Sequence, residues 1–163
     1  MVEDKDPGSG NNHIELTSED PEYLVKYPWI ENFLHQILKH QGITSWELSL
    51  LLCPNDTIEK LNSQYRSKNR PTDILSFSQI EGSAVPFSPL ELLYAGDIVI
   101  SIPYMEKNAM ENNVSEEAEL KTLLIHGVLH LLGMDHTEDD TQMLDLQKQI
   151  YTDLTKGDQI ELY

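Results

Sequence analysis

The sequence predicts one α+β domain, in which a small mixed β-sheet packs with about five helices. The length of 163 residues suits a single apolar core and is too short for two independent ones. Strand-like and helix-like patterns alternate along the chain, at least one passage is hairpin-like, and no internal repeat is visible. No apolar run reaches the roughly 18 residues of a membrane span, so we expect no membrane partner.

The first half of the chain begins with an acidic segment, of which residues 1–12 are predicted to form a disordered tail. Apolar residues then recur at intervals of three and four, which is typical of a helix, until Gly42 ends the pattern. In chain order, this half is predicted to contain a strand over 13–17, a helix over 21–41, a strand over 46–53 and a helix over 55–65.

The second half contains the strongest strand pattern, over 92–101, and the longest apolar helix pattern, over 115–132. The other predicted elements are a basic loop over 66–71, a strand over 73–78, a loop over 81–89, and helices over 104–112 and 138–154. We therefore expect the domain to span 13–157 and to be followed by a frayed C-terminal tail over 158–163.

Composition excludes several classes of protein. The chain has one cysteine, Cys53, which excludes an internal disulfide framework and a cysteine-built zinc site. Such a low cysteine content is typical of proteins in a reducing compartment. The acidic N-terminus lacks the apolar segment of a secretory signal, so we expect a cytoplasmic location. The formal charge of −17 also argues against a protein that clamps nucleic acid through a broad basic surface.

The helix predicted over 115–132 carries one narrow polar stripe on an otherwise apolar surface. Glu119, Thr122, His126 and His130 fall within about 80° of one another on a helical wheel. A helix that is apolar in almost every other direction is a buried helix. Two imidazoles in such a place need either a metal ion or other polar partners.

His126, His130 and His136 have a spacing that allows them to meet at one point, because Gly133 lets the chain turn sharply after the helix. Three histidine nitrogens with a fourth position left for water are typical of a catalytic zinc site. We therefore predict one Zn²⁺ per chain, and another divalent first-row metal stays open. The alternative is that two of these histidines are satisfied in the core and the third lies in a loop.

A zinc peptidase is a weaker interpretation of the same helix. In the H-E-x-x-H pattern a glutamate follows the first ligand and acts as the general base, whereas Gly127 follows His126 here. A peptidase or small-molecule hydrolase stays open, because Glu119 lies on the same face two turns earlier.

Residues 60–72 form a basic island in an acidic chain and contain no Asp or Glu. Arg66, Lys68 and Arg70 are candidates for contacts with an anionic substrate, since arginine presents a planar fork that matches phosphate. Tyr65 or Phe77 could stack a nucleotide base. The alternative is a solvated loop whose cations pair with the abundant acids.

Three segments together resemble the YbeY family of bacterial metal-dependent endoribonucleases. His126-Gly-Val-Leu-His130-Leu-Leu-Gly133-Met-Asp135-His136 is similar to its H-G-x-L-H-L-x-G-x-D-H signature. Tyr65-Arg66 followed by Pro-Thr-Asp-Ile-Leu-Ser-Phe over 71–77 resembles its Y-R…P-T-D-V-L-S-F segment, and 96–101 resembles its G-D-I-x-I-S strand. The departures, such as Ser78 where a proline is usual, affect no proposed ligand.

The resemblance implies an α+β fold with zinc held by His126, His130 and His136, and a functional arginine at Arg66. It also implies single-strand-specific RNA cleavage in maturation of the 16S rRNA 3′ end and in ribosome quality control, with the ribosome or ribosomal proteins as partners. Asp135 or Thr137 would orient a ligand imidazole through its second nitrogen. For Asp135 the alternative is a turn residue or helix cap. Ser76, Lys68 and Arg70 are further candidates for substrate contacts. A non-catalytic, ribosome-associated metal-binding adaptor stays open.

The acidic charge is compatible with an RNA substrate if the acids lie outside the cleft. Seven of them fall in the first 22 residues and seven after residue 137. Such a distribution would repel arbitrary RNA while the metal and the basic island attract one phosphate. We therefore expect weak affinity for naked RNA and dependence on a partner.

Overall fold

The structure is a computed structural model, and it describes residues 11–80, 92–134 and 140–156. The predicted loop over 81–89, residues 1–10 of the predicted N-terminal tail and the whole predicted C-terminal tail lie outside these ranges. In chain order the elements are β1 (His13–Ser18), α1 (Pro21–Lys26), α2 (Ile30–His40), β2 (Trp46–Cys53), α3 (Asn55–Arg66), β3 (Ile74–Ser78), β4 (Leu93–Ser101), α4 (Ile102–Glu111), α5 (Glu116–Leu131) and α6 (Asp140–Leu154). Among the described helices, none is both long and apolar enough to cross a membrane.

The four described strands form one mixed sheet in the order β1-β2-β4-β3. β1, β2 and β4 are parallel, and β3 pairs antiparallel with β4 at one edge of the sheet. Leu48, Leu50 and Leu52 of β2 are buried on one face, while Ser49 and Leu51 face the other side. The predicted α+β fold with a small mixed sheet is therefore confirmed.

The prediction of one helix over 21–41 is wrong, because the chain forms two helices there. Pro28 has no backbone N–H, and it disfavours the helical region for the preceding residue. Tyr27 accordingly has φ −127° and ψ 65°, and α2 begins only after Trp29. The described residues consequently contain six helices, one more than the roughly five that the sequence predicts.

The main core lies between α5 and one face of the sheet. The apolar residues of α5 are buried, as its pattern predicts, and the half-buried polar stripe lies at the edge of this core. Gly127 faces the sheet so closely that an added Cβ would stand 3.0 Å from Ile98 Cδ1 and 3.2 Å from Ile74 Cδ1. The absence of a side chain at this position lets the helix lie directly on β3 and β4.

The opposite face of the sheet is covered only in part, by α3. A smaller apolar cluster of Cys53, Ile58, Leu75 and Val99 is buried there. Leu51, Leu61 and Phe77 pack against this cluster and remain partly exposed. The sheet therefore separates a well-covered face under α5 from a half-covered face beside α3.

Candidate active site

His126 and His130 lie one turn apart on α5 and face each other. Their Nε2 atoms are 3.0 Å apart, and their ring centroids are 4.5 Å apart. Both residues are half-buried. Without a cation between them, this contact is a hydrogen bond between one protonated and one unprotonated ring nitrogen.

The orientation of His126 is fixed by Gln147 of α6. His126 Nδ1 is 3.0 Å from Gln147 Oε1, and an amide oxygen only accepts hydrogen bonds. Nδ1 therefore carries the proton, and Nε2 presents its lone pair toward His130. Sequence reasoning missed Gln147, although Met143 and Ile150, which are both buried, place it on the inward face of α6.

The histidine pair fits a metal ion. Two nitrogens that are each 2.0–2.1 Å from a tetrahedrally coordinated zinc lie about 3.3 Å apart, close to the observed 3.0 Å. A hydrogen-bond acceptor at the second ring nitrogen, as Gln147 supplies, is the usual companion of a metal-ligating histidine. His136, Asp135 and Thr137, the other residues predicted for this site, lie outside the described residues. Within the described ranges, no cluster of three His, Cys, Asp or Glu side chains is gathered at metal-binding distance.

The chain turns sharply at the end of α5. Gly133 has φ +96°, a left-handed conformation that glycine adopts without a Cβ penalty. Gly133 N–H donates to His130 O at 2.9 Å, and Met134 N–H donates to Leu129 O at 3.1 Å. The turn predicted at Gly133 is therefore present immediately after the second histidine.

A cleft of about 510 Å³ brings His130 together with Arg66, although 64 positions separate them in the chain. Ser76, Ser78 and Met134 also line it. Arg66 is the last residue of α3, which ends because Ser67 adopts a left-handed conformation with φ 59°. This cleft is the candidate active site.

Arg66 is held against the outer edge of β3. Its Nη2 donates to Ser76 O at 2.8 Å, and its guanidinium carbon lies 4.9 Å from the centre of the Phe77 ring. Ser78 Oγ donates to Leu131 O at 3.0 Å and so fastens β3 to α5. β3 therefore connects the arginine half of the cleft to the histidine half.

Of the other residues predicted to contact substrate, Ser76 lies in the cleft, whereas Lys68 and Arg70 lie outside its described lining. The side chains of Lys68 and Arg70 are exposed in the loop after α3 and are not among the described residues that line the cleft. Their backbone groups bind Asn62, through Lys68 N–H to Asn62 O at 3.2 Å and Asn62 Nδ2 to Arg70 O at 2.9 Å. Ser76 lines the cleft and orients Arg66 through its carbonyl oxygen.

Glu119 lies at the other end of the polar stripe. Burial raises the pKa of this carboxyl, and the nearby charge of Asp73 raises it further. Glu119 is not among the described residues lining the cleft with His130. The stripe therefore continues for two turns beyond the histidines without placing this carboxylate beside them.

Comparison with known proteins assigns this architecture to a family. The model of the family described as Endoribonuclease YbeY matches residues 15–155. An Endoribonuclease YbeY of Treponema denticola is 40% identical over 143 residues, which are 86% of this chain and 92% of the relative. One from a Sulfurihydrogenibium species is 35% identical over 147 residues, covering 88% of this chain and 93% of the relative.

A solved structure has a similar fold. The solution structure of a protein from Thermotoga maritima is 29% identical and aligns with a TM-score of 0.61. The alignment covers 91% of this chain and 93% of the other. The similarity therefore extends over nearly the whole of both chains.

Proposed function

Because the chain belongs to the YbeY family of endoribonucleases, we propose that it cleaves phosphodiester bonds in single-stranded RNA at the cleft between Arg66 and His130. The expected biological substrate is the 3′ end of 16S rRNA, in rRNA maturation and ribosome quality control. The observation that carries this proposal is that Arg66 and His130, which are distant in sequence, line one cleft, and that His130 is paired with His126.

The proposal assigns one Zn²⁺ to His126, His130 and His136, or another divalent first-row metal in its place. When bound, the ion supplies Lewis-acid polarisation of a phosphoryl oxygen and lowers the pKa of a water molecule. Gln147 holds His126 in the tautomer that presents Nε2 to the ion. Asp135 is assigned the corresponding role for a second ligand, as an acceptor of its ring N–H.

Arg66 is assigned the stabilisation of charge on the phosphoryl group during cleavage. One of its five N–H donors binds Ser76 O, so the guanidinium is oriented before substrate arrives. The guanidinium carbon lies over the Phe77 ring at 4.9 Å from its centre, a cation–π contact that limits its movement further. An arginine fixed in this way does not have to reorganise as the transition state forms.

A chain of charge −17 is expected to attract RNA only weakly, so its function requires a partner that binds the same RNA. We assign this role to the ribosome or a ribosomal protein, which would hold the RNA near the cleft. Lys68 and Arg70 lie in the exposed loop next to Arg66 and are the cations available for such longer-range contacts.

The test compares Arg66→Ala with Lys107→Ala, since both residues are exposed cations and only Arg66 is among the described residues lining the cleft. Cleavage of an end-labelled single-stranded RNA is expected to fall about 10²- to 10³-fold in Arg66→Ala and to change little in Lys107→Ala. Metal content and the melting temperature should remain close to those of the wild type. The proposal is contradicted if Arg66→Ala cleaves the RNA at the wild-type rate. Incubation of the wild type with casein in parallel tests the alternative that the chain is a peptide hydrolase.

A further inference from the structure

A second cavity lies on the half-covered face of the sheet, and we call it the sheet trough. Its volume is about 570 Å³, within the range of ligand pockets. Its apolar wall is formed by Leu51, Leu61, Tyr65 and Phe77, and its polar floor by Ser49 and Asp97. None of the residues assigned to the metal site or to phosphate binding belongs to this described lining.

The sheet trough adjoins the candidate active site at the end of β3. Phe77 and Gln79 line both cavities. Arg66, which lines the active-site cleft, lies over the same Phe77 ring that forms a wall of the sheet trough. A phosphate bound at Arg66 would therefore lie across the Phe77 ring from the sheet trough.

Two aromatic rings belong to the apolar wall of the sheet trough: Tyr65, which is exposed, and Phe77, which is partly buried. Tyr65 and Phe77 make an edge-to-face contact with 5.4 Å between ring centres. Tyr65 is 56% exposed, which is unusual for a large aromatic side chain. An exposed aromatic ring next to an arginine is the typical platform for a base of single-stranded nucleic acid.

The floor of the sheet trough selects against phosphate. Asp97 Oδ1 accepts hydrogen bonds from Ser49 Oγ at 2.5 Å and from the Tyr94 hydroxyl, and Glu15 also lines the cavity. Burial and the bond to Asp97 raise the pKa of Tyr94, which keeps its hydroxyl protonated as the donor. Two carboxylates repel a phosphate, whereas a carboxylate oxygen accepts the N–H groups of a base.

We propose that the sheet trough binds the base of the nucleotide adjacent to the phosphate held at Arg66, with Tyr65 as its stacking platform and Asp97 as an acceptor. This inference rests on the proposed RNA-cleaving function and extends it by assigning a base-binding subsite. Because every base has an aromatic face, the subsite tolerates all four bases and requires that the base be unpaired. It thereby accounts for a preference for single-stranded RNA.

The experiment uses the metal-loaded full chain and 2-aminopurine riboside 5′-monophosphate, whose fluorescence falls when the base stacks. This probe contains no phosphodiester bond, so the titration does not depend on cleavage. Tyr65→Ala is expected to weaken its binding by about five-fold or more, and Tyr65→Trp to retain it. Gln64→Ala is the matched control, since Gln64 is exposed on the same helix and lines a different surface cavity.

Two further measurements separate this inference from the proposed function. Ribose 5-phosphate should compete at least about five-fold more weakly than the nucleotide, because it lacks the base. With a short RNA substrate, Tyr65→Ala should raise KM and leave kcat nearly unchanged. Equal probe binding by wild type and Tyr65→Ala overturns the subsite, whether or not RNA is cleaved. A wild-type chain that binds the probe through Tyr65 but cleaves no RNA overturns the function and leaves the subsite.

Discussion

Gln147 provides a sharp test of the proposed metal site, because its role depends on one contact. Gln147→Met preserves the length of the side chain and removes the oxygen that accepts from His126 Nδ1 at 3.0 Å. Loss of such an outer acceptor weakens metal binding by about 10- to 100-fold. This corresponds to about 1.4–2.7 kcal/mol of binding free energy.

The same substitution should have a much smaller effect on the fold. A single half-buried hydrogen bond contributes about 0.5–1.5 kcal/mol to the free energy of unfolding. Urea denaturation of the metal-free protein should therefore show at most a loss of that size. Gln147→Glu retains an acceptor at the same position and should bind zinc at least as tightly as the wild type.

The assay is a competition titration of Zn²⁺ between the protein and a fluorescent chelator, with Gln149→Met as the control on the exposed face of the same helix. Nitrogen-15 NMR of the His126 ring adds a second measurement. In the metal-free wild type it should show the proton on Nδ1, and in Gln147→Met a mixture of tautomers. A Gln147→Met variant with unchanged zinc affinity and an unchanged tautomer refutes the assignment.

Three other predictions concern the fold. Gly96→Ala should lower the free energy of unfolding by about 3 kcal/mol or more, because the added Cβ would stand 2.2 Å from Phe77 O; an unchanged urea midpoint contradicts this. Burial raises the pKa of the Cys53 thiol to about 12, so a thiol reagent at pH 8 should modify it only after unfolding; rapid modification of the native protein is the opposing result. His40 donates to Asp153 and lowers the pKa of that carboxyl. The contribution of this ion pair to the free energy of unfolding is complete above the unfolded-state pKa of Asp153, about 3.9, and is lost as the pH falls through the lowered folded-state pKa. The wild type should therefore have a higher urea midpoint than Asp153→Asn near neutral pH, and the two midpoints should converge in acid.

Local sequence patterns predict the helices and strands well where one period dominates. The alternation in β2 and the apolar surface of α5 each determine their element, since burial acts on every residue of the pattern. The pattern over 21–41 fails at Pro28, where the backbone restriction of one residue overrides a continuous apolar period. The strand order is not encoded locally, because it depends on which strands pair after crossover connections.

In the candidate site too, contacts within one helix are predictable from the sequence, whereas contacts between elements are not. His126 and His130 are adjacent through helical spacing alone, so the sequence predicts their proximity. The position of Arg66 beside His130 depends on β3, which carries Arg66 on its outer edge and is fastened to α5 through Ser78. Gln147 reaches His126 only through the packing of α6 on α5, which no local pattern specifies.

The strand that joins the two halves of the cleft is also one of the least secured parts of the sheet. β3 has five residues and a single neighbouring strand, β4, among the described strands. Segments attached on one side open at lower free energy than central ones, without global unfolding. Detachment of β3 would withdraw the support of Arg66 and the tie to Leu131 together, along with the packing of Ile74 against α5. Opening of β3 is therefore expected to disable the proposed cleft, and amide hydrogen exchange at residues 74–78 measures the free energy of that opening.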